Sequence, residues 1–298
     1  MKKIGVLVVT YNQYQITRNF INKFLALFKE EYIHLLILDN NSQDGTYEKL
    51  QSRFPDLDIR KLNDNYGCVT GRNIGIVELI NMGCHYILIL DNDIEIEDPE
   101  FFSKMLLLME NDSEIDGCCP IVRWSDDYTI QTLGTRLNKF GISKNVTNIS
   151  SGNNKVDILP GCAQFMRISA YKKIGLYDND LSPISIEDYE WGMRAKKKRV
   201  KLCYNPDTEV IHYHNRLKGD SKEKKAFVIV GRMAFMKKYF TLFNLVKEIR
   251  FALRTMQNYG ILFAVKNYIR GFFKKIHRNN FNYAEFSCQG LSKYYTEY

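Results

Sequence analysis

The chain contains no C-x-x-C pair, no apolar run of membrane-spanning length and no G-x-G-x-x-G fingerprint. Each absence excludes something. Zinc clusters need closely spaced Cys and His ligands, so a structural zinc site is not expected. The seven cysteines, Cys68, Cys84, Cys118, Cys119, Cys162, Cys203 and Cys288, are odd in number and scattered. That excludes a disulfide framework and fits reduced thiols. A chain of 298 residues buries enough surface to fold without such staples. No window approaches the roughly 20 apolar residues of a membrane helix. The apolar run at 4–9 is stopped by Tyr11, Asn12 and Gln13, too soon for a signal-peptide core. The missing glycine fingerprint excludes the common dinucleotide site. There is no internal repeat and no low-complexity tract. A cytoplasmic location follows from these readings, and the sequon Asn145-Val146-Thr147 is then a chance match.

Charge is present in excess but unevenly placed. The net charge is +8. Residues 218–280 hold 15 Lys/Arg against 3 Asp/Glu, a local net of +12. The remainder carries 27 basic and 31 acidic residues, a net of −4. A mildly acidic body at 1–217 therefore precedes a basic extension at 218–298. The body divides again into 1–98 and 99–217.

Residues 1–98 alternate between strand and helix patterns. The β-branched run at 4–9 reads as a parallel strand buried on both faces. Residues 15–28 have helical spacing, with Ile16, Phe20, Phe24, Leu25 and Phe28 on one face. Strands at 34–38, 59–62 and 86–90 and helices at 46–54 and 71–82 follow. This order predicts an α/β fold with an open, twisted, mostly parallel sheet flanked by helices. Further on, 99–110 reads as a helix with Asp98 as N-cap and Pro99 at its first position. A helix at 185–198 and short strands at 201–204 and 210–214 follow. Everything beyond Lys222 reads as helical.

In such a sheet, ligands sit at the carboxyl ends of the strands. Polar residues fall at those ends. Strand one ends in Thr10-Tyr11-Asn12, strand two in Asp39-Asn40-Asn41-Ser42, strand four in Asp91-Asn92-Asp93. Any one of these is compatible with an ordinary turn; three on one architecture point to a site. Two acids two residues apart offer hard oxygen ligands to Mg²⁺ or Mn²⁺. The segment from Asn65 to Gly75 carries three glycines, which allow close backbone approach to a ligand, and Arg72 suits a phosphate. Glu187 and Asp188 stand near a helix start, as caps or as a general base. His212 and His214 alternate on a strand and could ligate metal.

The ordered set of motifs resembles the family-2 inverting glycosyltransferases of GT-A fold. The set comprises Val9 to Asn12, Leu38 to Ser42 with Asp44-Gly45-Thr46, Asn65 to Gly75, Asp91-Asn92-Asp93, Gly161-Cys162-Ala163, Gly175 to Asp178, Glu187-Asp188 and His212. The rhamnosyltransferase-like branch of bacterial surface-polysaccharide enzymes is the nearest in pattern. The resemblance implies a hexosyl- or deoxyhexosyltransferase using a UDP- or dTDP-linked sugar and a Mn²⁺ or Mg²⁺ cofactor. It implies that Thr10, Tyr11, Asn12, Asp39 and Asn41 hold the nucleoside, with Arg72, Asn73 and Asn92 near the ribose and diphosphate. Asp93 and His212 would ligate the metal, with Asp91 on the metal or ribose. Gly161 would line the sugar pocket. Asp188 would be the base, with Glu187 beside it. The sequence departs from the family at Tyr177-Asp178-Asn179, where Phe-Asp-Glu is usual, and it lacks the Gln-x-x-Arg-Trp motif of processive synthases.

Within the basic extension, apolar and aromatic residues from Phe227 to Phe273 interleave with Lys and Arg. This suits helices lying in an anionic membrane surface, or a helical cap on the body with a solvated basic face. The expected acceptor is a lipid-linked glycan or a protein side chain, met at the inner face of the membrane. A non-catalytic sugar-binding protein would tend to lose Asp91, Asp93 and Asp188, all present here. Nucleic-acid signatures are absent, and no nucleic-acid partner is expected.

Overall fold

The apolar runs become the centre of a sheet because they bury both faces. In the computed structural model of the chain, β1 (Ile4–Thr10) and β2 (Ile33–Asp39) flank each other in parallel, with α1 (Tyr14–Leu27) between them in sequence. Next come α2 (Thr46–Arg53), β3 (Asp58–Lys61), α3 (Gly67–Asn81), β4 (Tyr86–Leu90), β5 (Ile94–Glu95) and α4 (Phe101–Asn111). The second half contains β6 (Ile115–Trp124), β7 (Ile130–Thr132), β8 (Thr135–Leu137), β9 (Ser143–Asn145), β10 (Lys155–Val156) and β11 (Ala163–Arg167). It closes with α5 (Ile168–Ile174), α6 (Glu187–Lys197) and β12 (Lys201–His212). Three helices follow: α7 (Lys222–Lys238), α8 (Leu242–Tyr259) and α9 (Ile261–Phe273). The structure describes residues 2–138, 143–150, 152–181, 186–213, 222–239, 242–276 and 291–295.

The main sheet runs β10-β12-β6-β11-β4-β1-β2-β3, with β5 added to β12 and β7 to β6. β1 to β4 are parallel, as crossover helices require; β11 enters antiparallel between β4 and β6. Alternation splits the core into two layers. Val6 and Val8 face Phe20 and Phe24 of α1 and Phe101 and Phe102 of α4. Leu7 faces Ile74 and Val77 of α3 on the other side. The register pairs Thr10 with Asp39 and Val8 with Leu90, so β1, β2 and β4 end level on one edge.

Several expectations change at this level. Two of the three glycines of α3, Gly71 and Gly75, serve packing on β1. A Cβ on Gly75 would lie 2.2 Å from a methyl of Leu7, and one on Gly71 3.0 Å from Val9. The helix therefore sits close on β1, and it starts at Gly67, four residues before the expected start. In α1, Ile16 and Leu25 are exposed; Thr17 and Ile21 take the inner face with Phe20 and Phe24. α4 begins after Glu100, because Asp98 and Pro99 form a preceding turn. The two short strands expected at 201–204 and 210–214 are one strand, β12, continuous through a register shift at Asn205-Pro206. Ser185, His214 and Phe240 lie outside the described residues.

α7 is bolted to the body. Lys238 lies 2.7 Å from Asp178 and 2.6 Å from Asp180, both buried, and Tyr239 donates to Glu190 at 2.7 Å. Beyond α9 the described helix is a single 3-10 turn, Ser292–Tyr294, within residues 291–295, which return to β3. Asn63 donates through its backbone to the Tyr294 carbonyl, and Tyr66 packs edge-on against the Tyr294 ring. Among the described residues, no helix is long and apolar enough to cross a membrane. The described cysteines are free and mostly buried; burial pushes the Cys68 and Cys203 thiols up to about 12, which leaves them inert.

Candidate active site

The level edge of β1, β2 and β4 collects the predicted polar residues. β4 ends at Leu90, and the turn Asp91-Asn92-Asp93 leads directly into β5. β5 pairs antiparallel with the end of β12, Ile94 opposite His212. The backbone N–H of Tyr213 donates to the Asp93 carbonyl at 2.9 Å. These pairings carry His212 to the acids. Its Nε2 lies 3.4 Å from Asp93 Oδ1. One ligand atom from each of Asp91, Asp93 and His212 lies within 4.8 Å of the others. Gln131 Oε1 accepts from His212 Nδ1 at 2.9 Å, which leaves Nε2 turned to the acid. The Trp124 ring lies nearly parallel to the imidazole, at 4°, and fixes its plane. Carboxylate oxygens with one imidazole form a fitting donor set for a divalent cation such as Mn²⁺.

Arg72 joins this cluster to the second pair of acids. It is buried, donates to Asp91 at 2.8 Å and reaches Glu187 at 3.4 Å. Gly161 lies over the same guanidinium: a Cβ there would be 3.5 Å from Arg72 Nη1 and 3.8 Å from Asp188 Oδ2. Asp188 is half-buried at the first turn of α6. Burial, then the adjacent Glu187 charge, raises its carboxyl to about 6. A cleft of about 450 Å³ opens beside Asp91 and Asp93, bounded by Gln13, Gln131, His212 and Lys224.

The nucleotide-side residues divide by what they touch. Asp39 is fully buried, with Oδ1 accepting from the Ser42 N–H at 2.7 Å. Its Oδ2 is buried with no hydrogen-bond partner among the described residues, and burial raises its carboxyl. Tyr11 is exposed and follows Thr10, the strand partner of Asp39. Asn12 and Asn41 both adopt left-handed backbones. Asn12 Oδ1 accepts from Gln43 N–H, and Asn41 donates to the Asn63 carbonyl, so both shape the loops.

A sequence model of the family described as glycosyl transferase family 2 matches residues 5–175, more than half of the chain. The chain belongs to glycosyl transferase family 2. No curated protein matches it by sequence. Two solved structures share the fold of this family 2 chain. GalNAc-T7 with UDP, GalNAc and Mn²⁺ aligns at TM-score 0.67 and 15% identity, over 93% of this chain and 55% of that one. S. aureus TarS aligns at TM-score 0.53 and 14% identity, over 94% of this chain and 45% of that one. The family 2 chain thus spans about half the length of each. Its GT-A architecture, the open sheet with flanking helices, agrees with both.

Three residues expected at the donor turn inward instead. The Asn73 amide donates to the Tyr177 carbonyl and to Asn179 and accepts from the Tyr177 N–H. The side chain is fully buried with three of its hydrogen bonds made inside the protein. Asn92 donates to Gln13 and Thr17, and the Thr10 hydroxyl lies 2.7 Å from that of Thr17. Both belong to a buried network under the site. Sequence reasoning missed Asn40, which accepts from the Tyr66 N–H and holds the start of α3. It also missed Gln131 and Lys224. Asn40 lies in a polar strand end already noticed; Gln131 carries no local signal, and Lys224 is one lysine among many.

Proposed function

We propose that the chain is an inverting glycosyltransferase that moves a hexosyl or deoxyhexosyl group from a UDP-sugar to an acceptor hydroxyl, at the inner face of a membrane. One observation carries the reading. Arg72 joins Asp91 of the Asp91–Asp93–His212 cluster to Glu187, the neighbour of Asp188, so the groups proposed for the leaving group and for the acceptor stand on either side of one guanidinium. The GalNAc-T7 structure, solved with UDP and Mn²⁺, favours those ligands over dTDP and Mg²⁺.

Asp93 and His212, with Asp91, would hold the cation. A cation there supplies positive charge against the departing diphosphate. Asp39 Oδ2 is the acceptor awaiting a base N–H, which would satisfy a buried oxygen costly to leave alone. Tyr11 offers the base a ring face. Lys224 projects from α7 into the cleft and adds a cation for the phosphates. Asp188 takes the proton of the attacking hydroxyl. With its carboxyl near 6, it is ionised at neutral pH yet basic enough to accept. Arg72, pinned between Asp91 and Glu187, fixes the spacing of the two halves. Attack from the Asp188 side inverts the anomeric centre.

The C-terminal helices support membrane association. α9 exposes Ile261, Leu262, Val265, Ile269, Phe272 and Phe273 in one stripe, and α8 exposes Val246, Ile249 and Leu253. Their opposite sides pack: Gly271 meets Met233 and Val230 of α7. A helical cap alone would not leave such a stripe open. Cell-surface glycan assembly, as the family resemblance implies, is the corresponding role.

Asp188→Asn tests the reading. Transfer should fall about 10²–10⁴-fold, the usual worth of a positioned base. Mn²⁺-dependent UDP binding, followed by calorimetry, should persist. Near-normal turnover would remove Asp188 from the role.

A further inference from the structure

We propose that the groove between α6, α7 and α8 seats a phosphate ester of the acceptor, so that this chain glycosylates an anionic, phosphate-bearing acceptor. The inference rests on the glycosyltransferase reading of Asp188 and names the substrate class for that base.

The groove measures about 460 Å³. Ile186 and Tyr189, which flank the Glu187-Asp188 pair in sequence, line it. The groove therefore reaches the start of α6, the turn that carries the proposed base. Lys247, Arg250 and Arg254 line it from α8. Successive members stand three and four residues apart, so they form one stripe along the helix. Arg232 lines it from α7, and among the described residues Glu248 is the only acid on the wall, already held by Arg232 at 2.8 Å. Four cations face one acid. The exposed guanidinium groups of Arg250 and Arg254 have no acidic partner among the described residues. Burial and the charge of Arg232 both lower the Lys247 ammonium, a strain that an anion would relieve.

The remaining wall argues against a neutral glycan. Phe235 and Phe251 floor the groove, and Arg232 stacks over the Phe251 ring at 4.2 Å. Apart from the cations and Glu248, the polar side chains among the described lining residues are Ser143 and Tyr189, which leaves few groups to read sugar hydroxyls. Arginine forks with a dry aromatic floor suit a phosphate ester. Position adds a second argument. On α8 the cationic stripe lies beside the exposed apolar stripe of Val246, Ile249 and Leu253. A lipid surface meeting that apolar stripe would place its headgroups level with Arg250 and Arg254.

The test uses the full chain and the double variant R250Q/R254Q. Both sites are exposed, so the fold should survive, and unchanged Mn²⁺-dependent UDP binding checks it. Cosedimentation compares vesicles of phosphatidylcholine alone, with phosphatidic acid, and with phosphatidylserine. Calorimetry with glycerol 3-phosphate covers the soluble form of the same chemistry. The native chain should prefer phosphatidic acid to phosphatidylserine, or bind glycerol 3-phosphate. The variant should lose about tenfold or more in whichever phosphomonoester binds, as expected from two surface cations. Binding on vesicles only assigns the phosphate to a lipid-borne acceptor; binding of glycerol 3-phosphate as well assigns it to the ester itself. Equal binding of both anionic vesicles, or an unaffected variant, overturns the proposal. Failure of the native chain to bind UDP with Mn²⁺ would instead sink the enzymatic reading, whatever the groove does.

Discussion

Asp188 sits among charges of both signs, and its behaviour with pH follows from them. Its carboxyl is raised to about 6 by burial first and by Glu187 second. A base must be ionised to work, so kcat/KM should decline as pH falls through about 6. Stability runs the other way. The folded state binds the Asp188 proton more tightly than the unfolded chain, whose carboxyl lies near 3.8. The stabilisation from this group is complete below 3.8 and is lost as pH rises towards 6. Asp188→Asn, measured by thermal melting at neutral pH, should therefore melt no lower than the native chain while losing transfer. A variant that melts well below it would show that the carboxylate holds the fold. Gln131 gives a second test at this scale. Gln131→Ala frees His212 Nδ1, and Mn²⁺ affinity should drop about 10–100-fold; an unchanged Mn²⁺ titration would remove Gln131 from that role. Asp93 and His212 were legible because acids and histidines at strand ends are rare enough to notice. Gln131 was not, since β7 brings it in from a segment without any pattern of its own. Asn73 was misread because sequence does not say which way an amide turns.

At the scale of elements, glycine against leucine decides how close α3 lies to the sheet. Gly75→Ala would place a methyl 2.2 Å from Leu7, which must shift within a filled core. The cost should be about 1–3 kcal/mol, read from denaturant melts, with larger residues costing more. A neutral effect would mean that Leu7 has room to swing. The parallel strands were readable because burial on both faces leaves unbroken apolar runs. The strands of the second half were not. β7 to β10 are two or three residues long, and among them only Leu137 and Val156 are buried, so neither alternation nor apolar runs mark them. β12 looked like two strands because Asn205-Pro206 resembles a break, whereas the sheet absorbs it as a register shift.

At the scale of the molecule, the chain closes on itself. The basic extension was legible from charge alone, but its three parts differ in duty. α7 is a clamp through Lys238, α8 and α9 present an apolar stripe, and residues 291–295 return to β3. Neither the clamp nor the return could be read from composition, because both depend on partners far away in sequence. Removing residues 291–298 should expose Leu62 and Tyr66, lower the melting temperature and weaken UDP binding, measured by melting and calorimetry. Identical values would make that contact incidental.

That return has a consequence for how the protein is made. Asn63 and Lys293 touch across a separation of 230 positions. A further 230 residues must therefore be made after Asn63 before the outer edge beside β3 receives its last rung. A nascent chain stalled before that point should carry a formed sheet but a loose donor half, unable to engage a sugar nucleotide until translation runs past Tyr295.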